Sequence, residues 1–110
     1  MTLPISTPLM TNHKHLQDYL DAQRLRGRRM STLKAYEEFL ARFLRTVGKP
    51  VQTITTKDVR LFLMREEDRG NKPSTIAHKI TQLRSLFRWL HRERIIDEDP
   101  TELIDAPRLP

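Results

Sequence analysis

The chain has 110 residues, of which 37% are apolar and 31% are charged, so it is long enough for one domain with a modest hydrophobic core. It contains no cysteine, which excludes a disulfide framework and cysteine-based zinc sites. No stretch approaches the roughly 20 apolar residues of a membrane span, and the N-terminal residues lack an apolar signal core, so a cytoplasmic protein without a membrane partner is expected.

The net charge of +6 is unevenly distributed along the chain. Residues 1–92 contain 18 Lys and Arg against 8 Asp and Glu, whereas residues 93–110 contain 2 against 6. The basic excess therefore belongs to the body of the chain and favours a polyanionic partner. A solvated Lys and Arg surface gives the same composition, and charge alone does not separate the two interpretations.

The first half of the chain predicts an arm and two helices. Residues 1–10 contain two prolines and are predicted to form a flexible N-terminal arm, followed by a first helix from about Asn12 to Arg26. A second helix is expected to begin with Ser31 as its N-cap, because a serine hydroxyl accepts a hydrogen bond from a backbone N–H, and to end at Gly48. Its predicted apolar stripe consists of Leu33, Tyr36, Leu40, Phe43, Leu44 and Val47.

Two further helices are predicted in the second half. Residues 55–58 resemble a capping box and predict a third helix that runs to about Arg69. Ser74 is predicted to cap a fourth helix that runs to about Arg92, and a single helical turn is expected at residues 101–104. No segment alternates like a strand, so the four helices with their short connections predict an all-α bundle.

In this order the patterns resemble the N-terminal core-binding domain of tyrosine recombinases, which include phage integrases and Xer-type enzymes. The similar stretches are residues 32–36 with Phe43-Leu44, 55–59 with Phe62-Leu63, 74–76, 83–90, Asp99-Pro100 and 106–110. The resemblance implies a SAM-like orthogonal bundle of four helices with a short C-terminal helical turn. It divides the chain into an arm (1–10), a DNA-binding core-binding domain (11–104) and the start of a linker to an absent catalytic domain (105–110).

The resemblance also implies a function. A core-binding domain binds double-stranded DNA and positions the catalytic domain for DNA integration and recombination, and its protomers touch one another in a homo-oligomer on DNA. The family's catalytic Arg, His and Tyr residues belong to the second domain. His91 and Arg94 match the family's His-x-x-Arg spacing by chance, since no tyrosine follows them, so no catalysis and no cofactor are expected of this chain.

The residues themselves indicate where DNA would be held, because Lys and Arg neutralise phosphates and helix N-termini offer free N–H groups. The predicted phosphate contacts are Arg28, Arg29, Ser31, Thr32, Lys34, Arg42, Arg45, Lys72, Ser74 and Thr75. The predicted base contacts, on the polar side of the fourth helix, are His78, Lys79 and Gln82, since Gln suits adenine and Lys suits guanine. Simple capping and ordinary solvent exposure are the alternatives at each position.

Other classes of function are also compatible with parts of the sequence. A helical protein-interaction module would use the basic face to dock an acidic partner, with Trp89, Leu61 and Met64 as candidate interface residues. Metal binding at residues 13–15 or 97–99 is less favoured, because the first segment has no third ligand nearby and the second suits a helix cap. No metal site is therefore predicted, and an enzymatic function is the weakest alternative.

Overall fold

The computed structural model describes residues 7–108, and within that range the chain forms four α-helices, one short 3-10 helix and no strand. The elements are α1 (Thr7–Leu25), α2 (Met30–Val47), the 3-10 helix (Val51–Thr53), α3 (Thr56–Asp68) and α4 (Pro73–Arg92). The predicted all-α fold is confirmed. Over the same residues, no helix combines the length and apolar character that crossing a bilayer requires.

The chain divides into two compact units, with the boundary between Thr53 and Ile54. The first unit contains α1 and α2, and the second contains α3 and α4. In the first unit α1 buries one face, which consists of Leu16, Tyr19, Leu20 and Gln23 at helical spacing. Burial of a helix stripe of this kind contributes most of the stability of a short helix in a protein.

The buried face of α2 differs from the predicted stripe at Tyr36, Phe39 and Val47, of which Val47 is only half-buried. Leu33, Leu40, Phe43 and Leu44 are buried as predicted, but Phe39 is buried as well, at 8% exposure. Tyr36 is only half-buried. The reason is that Tyr36 lies at the edge of the stripe, where the Arg28 guanidinium carbon lies 5.9 Å from the centre of its ring.

The first helix begins earlier than the sequence predicts. It starts at Thr7 rather than at Asn12, so the predicted flexible arm is wrong for residues 7–10, while residues 1–6 lie outside the described part of the chain. Pro8 suggested an irregular segment, but a proline is tolerated in the first turn of a helix, where its missing N–H has no intrahelical partner.

Asn12 is a buried polar residue of the first unit, at 1% exposure, and its side chain makes two hydrogen bonds to the backbone. Its amide nitrogen donates to the Lys49 carbonyl at 2.7 Å, and its amide oxygen accepts from the Val51 N–H at 3.0 Å. Both bonds hold the segment after α2 against α1. That segment turns away at Gly48, whose positive φ of 67° and hydrogen bond to Leu44 confirm the predicted helix end.

The two predicted serine caps are wrong. The N-cap of α2 is Arg29, and the N-cap of α4 is Lys72, with Pro73 at the first helical position. Ser31 and Ser74 therefore lie inside their helices, and no side chain among the described residues caps either first turn. The physical reason at α4 is that the fixed φ of a proline is already helical, so the helix starts one residue before the serine.

The capping box of α3 is confirmed. The Thr55 hydroxyl accepts from the Asp58 N–H at 3.2 Å, and the Thr55 N–H donates to the Asp58 carboxylate at 2.9 Å. The buried side of α3 then carries Val59, Phe62 and Leu63, which recur at helical spacing.

Replacing Thr55 with alanine is expected to lower the free energy of unfolding by about 1 kcal/mol, because it removes a side-chain cap. Urea denaturation followed by circular dichroism measures this change. Ser31→Ala is the matched control, since Ser31 is not a cap, and it should change the free energy of unfolding by less than about 0.5 kcal/mol. Equal losses from the two variants would contradict the assignment of the caps.

Within the second unit, the C-terminal segment lies against α3 and α4. The Thr56 hydroxyl donates to the Pro100 carbonyl at 2.9 Å, Arg60 donates to the Leu103 carbonyl at 3.4 Å, and Arg84 donates to the Ile104 carbonyl. The helical turn predicted at residues 101–104 is present only as hydrogen-bonded turns. Residues 105–108 have no regular structure, and their role as the start of a linker stays a prediction.

Candidate nucleic-acid interface

Most of the predicted phosphate contacts are accessible. Thr32, Arg42 and Thr75 are half-buried. The side chains that are exposed are Arg28, Arg29, Ser31, Lys34, Arg45, Lys72 and Ser74. They belong to two separate surfaces, one in each unit.

The first surface consists of the α1–α2 turn and the outer side of α2. Arg28 and Arg29 lie in the turn, and Lys34 and Arg45 are three helical turns apart on one side of α2. Their separation along the helix axis, about 16 Å at 1.5 Å per residue, is similar to the roughly 12 Å width of a DNA major groove. The spacing therefore suits cations that reach phosphates on both sides of a groove.

Arg42 lies beside this row and has a packing role as well. Its guanidinium carbon lies 5.7 Å from the centre of the Phe39 ring. A cation at this distance over an aromatic face is held in place while its charge stays near the surface. The geometry gives Arg42 a fixed direction, which the flexible stems of exposed lysines do not have.

The second surface surrounds the start of α4. Lys72, Ser74 and His78 are exposed and occupy the N-cap and the first two turns of this helix. Because no side chain caps this end among the described residues, the backbone N–H groups of its first turn remain available for an anion. The helix dipole adds a partial positive charge at the same place.

Two of the three predicted base contacts are not exposed as the sequence suggested. Lys79 is half-buried, and its Nζ lies 2.7 Å from Oε1 of Glu66. Gln82 is buried at 8% exposure, and its side-chain oxygen has no hydrogen-bond partner among the described residues. Of the three predicted base contacts, His78 is the one that is exposed as the sequence suggested.

Glu66 explains the position of Lys79. It is 2% exposed, although it is a carboxylate, and such a group needs a cation nearby to offset its desolvation. The sequence does carry a signal for it, because Glu66 continues the buried pattern of Val59, Phe62 and Leu63 at helical spacing. A charged residue on an apolar stripe predicts a buried partner, but not which cation supplies it.

The two histidines of α1 are His13, which is exposed, and His15, which is half-buried. No group of three or more His, Cys, Asp or Glu side chains in the described range is arranged to hold a metal ion. Partial burial lowers the pKa of His15 from its usual 6.5, the neighbouring Lys14 lowers it further, and Asp18 acts in the opposite direction. His15 is therefore neutral over more of the pH range than an exposed histidine.

Comparison with known proteins shows the class to which the chain belongs. The chain belongs to the family of phage integrase N-terminal SAM-like domains, whose family model matches residues 15–97. The resemblance predicted from the sequence is thereby confirmed. No solved structure matches the chain.

Curated relatives carry recombinase names. The chain is 32% identical over 99 residues to tyrosine recombinase XerD of Proteus mirabilis, covering 86% of this chain and 32% of the relative. It is 36% identical over 77 residues to tyrosine recombinase XerC of Bacillus licheniformis, covering 69% and 25%. A tyrosine recombinase of Thermosipho africanus is 37% identical over 97 residues, covering 84% and 34%. The chain thus spans about a quarter to a third of these relatives.

Proposed function

We propose that this chain binds duplex DNA as the core-binding part of a tyrosine recombinase or integrase and positions the catalytic part for DNA integration and recombination. The observation that carries the proposal is shared by α2 and α4. Each helix begins without a side-chain cap among the described residues, and each beginning is flanked by exposed cations. Strand cleavage is assigned to a catalytic domain outside these 110 residues.

The proposed contacts are of two kinds. Lys and Arg side chains neutralise phosphates, and first-turn N–H groups with nearby hydroxyls bind phosphate oxygens. His78 is the proposed base contact because it is exposed on the second turn of α4. The proposed phosphate contacts are Arg28, Arg29, Ser31, Thr32, Lys34, Arg42, Arg45, Lys72, Ser74 and Thr75. Lys79 and Gln82 are left out of this set because of their burial.

A salt titration tests the proposal. With about five to eight phosphate contacts, the logarithm of the affinity for duplex DNA should fall against the logarithm of salt concentration with a slope of roughly −5 to −7. Between about 50 and 200 mM salt this corresponds to a loss of about 10³- to 10⁴-fold. Fluorescence anisotropy with a labelled duplex measures the slope, and a slope close to zero would contradict DNA binding.

A protein-interaction module is the second candidate. Two large apolar side chains flank the basic α1–α2 turn in solvent, Leu25 at 88% exposure and Met30 at 66%. Leu61 and Met64 are also exposed, as the sequence predicted, whereas Trp89 is half-buried. Polyglutamate serves as the competitor in the same titration, since an acidic-partner module would bind it as strongly as DNA.

A further inference from the structure

A buried charged network links the end of α3 to the first half of α4 in the second unit. The carboxylate of Glu66 lies 2.7 Å from Nζ of Lys79 and 3.3 Å from a guanidinium nitrogen of Arg69. The side chain of Lys79 is only 18% exposed, whereas that of Arg69 is 64% exposed. The Glu66–Lys79 pair is therefore the dehydrated one, and a dehydrated pair holds a defined geometry that a surface pair does not.

The same network fixes the turn between the two helices. The Asn71 side-chain nitrogen donates to the Glu66 backbone carbonyl at 2.6 Å, and the Asn71 side-chain oxygen accepts from Nζ of Lys79 at 3.2 Å. The residue before it, Gly70, has a φ of 95°, a backbone conformation that side chains rarely adopt. Asn71 is thus held from both helices at the point where the chain reverses.

The turn leads directly to Lys72, the exposed cation of the second surface. Lys72 follows Asn71 directly, is the N-cap residue of α4 and is exposed. The place from which its side chain extends into solvent depends on the conformation of the turn that Asn71 fixes. From Glu66, the connection runs through Lys79 and Asn71 to the backbone of Lys72.

We infer that Glu66 is a positioning residue for the Lys72 phosphate contact, an inference that rests on the proposed function. Glu66 is 2% exposed and cannot itself touch DNA. It keeps Lys79 inside the protein, where Lys79 holds the turn instead of adding to the DNA-facing charge. A buried acidic side chain thereby contributes to the binding of an acidic ligand.

A positioning role and simple electrostatics predict opposite effects of Glu66→Gln on DNA affinity. Glu66→Gln keeps the shape of the side chain and raises the net charge of the chain from +6 by one unit. Long-range attraction alone would then strengthen DNA binding. Loss of positioning weakens binding, because the backbone of Lys72 is no longer held in place by the turn at Asn71.

A double-mutant cycle on the complete 110-residue chain tests the inference, with anisotropy titrations of a labelled duplex at fixed low salt. Glu66→Gln and Lys72→Ala are each expected to weaken binding about fivefold, and the double variant should be little weaker than either, since coupled groups are not additive. Glu67→Gln is the matched control: this neighbouring exposed carboxylate carries the same charge and should not weaken binding.

Each outcome of the cycle decides between structural and positioning roles. The inference is overturned if Lys72→Ala weakens DNA binding by the same factor with Glu66 and with Gln at position 66, or if Glu66→Gln binds DNA more tightly; DNA binding itself would still stand. If Glu66 had only a structural role, Glu66→Gln would lower the melting temperature but would not change the loss of affinity caused by Lys72→Ala. If Lys72→Ala changes nothing in either background but the salt slope is steep, only the contact at Lys72 is refuted; a flat slope refutes the proposed function itself.

A second variant covers the case in which Glu66→Gln does not fold. Glu66→Gln combined with Lys79→Met removes both charges of the buried pair, so neither ion stays in the interior without its partner, and leaves the net charge unchanged. The hydrogen bond from Lys79 to Asn71 is lost in this variant, so adding Lys72→Ala is expected to weaken DNA binding by less than about twofold. A full fivefold cost in the folded variant would overturn the inference.

Discussion

Replacing Phe87 with alanine is expected to lower the free energy of unfolding by about 3–5 kcal/mol, because the ring is completely buried in α4 and its removal leaves a cavity. Domains of this size have a total stability of about 5–15 kcal/mol, so the variant should be close to unfolding at room temperature. Thermal and urea denaturation, followed by circular dichroism, measure the loss.

The control for this variant is Leu103→Ala. Leu103 belongs to the same unit but is 67% exposed, so its truncation should cost less than about 0.5 kcal/mol. Equal losses at both positions would mean that α4 is not packed on the side that buries Phe87.

Reversing the charge of Lys34, Arg45 and Lys72 together is expected to weaken duplex DNA binding by at least about 100-fold at low salt. Each reversal removes one phosphate contact and adds a repulsion, and three contacts at about 1 kcal/mol each already give this factor. The salt slope should become shallower by about 3, since each lost cation contributes about 1. Anisotropy titrations at several salt concentrations measure both quantities.

A second triple variant controls for net charge. Lys14→Glu, Lys57→Glu and Arg65→Glu give the same change of charge at exposed positions outside the two proposed surfaces. We expect this variant to lose much less affinity than the first, about 10-fold or less, because only long-range attraction is reduced. Equal weakening by the two triple variants would show that the DNA-facing surfaces are misplaced.

The parts of the fold that repeat at helical spacing were predictable from the sequence. Most of the predicted α2 stripe is buried, as are Val59, Phe62 and Leu63 at helical spacing on α3, and the capping box at Thr55 forms as expected. The helix starts were less predictable, because Ser31 and Ser74 satisfy the cap preference while Arg29 and Lys72 occupy the cap. A high capping propensity means that a residue is favourable at the N-cap, but it does not determine which residue of the chain occupies that position.

The candidate site was predictable in its charges but not in their pairing. Lys34, Arg45 and Lys72 are exposed because they lie off the apolar stripes, which the sequence shows directly. The pairing of Lys79 with Glu66 joins two helices across 13 residues, and no local pattern encodes a contact of that kind. Helical spacing also could not predict that Gln82 is buried. Its burial depends on which residues pack against a second side of α4, and the spacing does not show this.

The buried pair of Glu66 and Lys79 has a consequence for how such sequences diverge. A lineage that loses one of the two charges leaves the other in the interior without its main partner, which is destabilising, whereas losing both together costs less. Positions 66 and 79 are thus expected to change together rather than one at a time. Among close homologues, correlated replacement at these two columns would record that dependence more clearly than invariance at either.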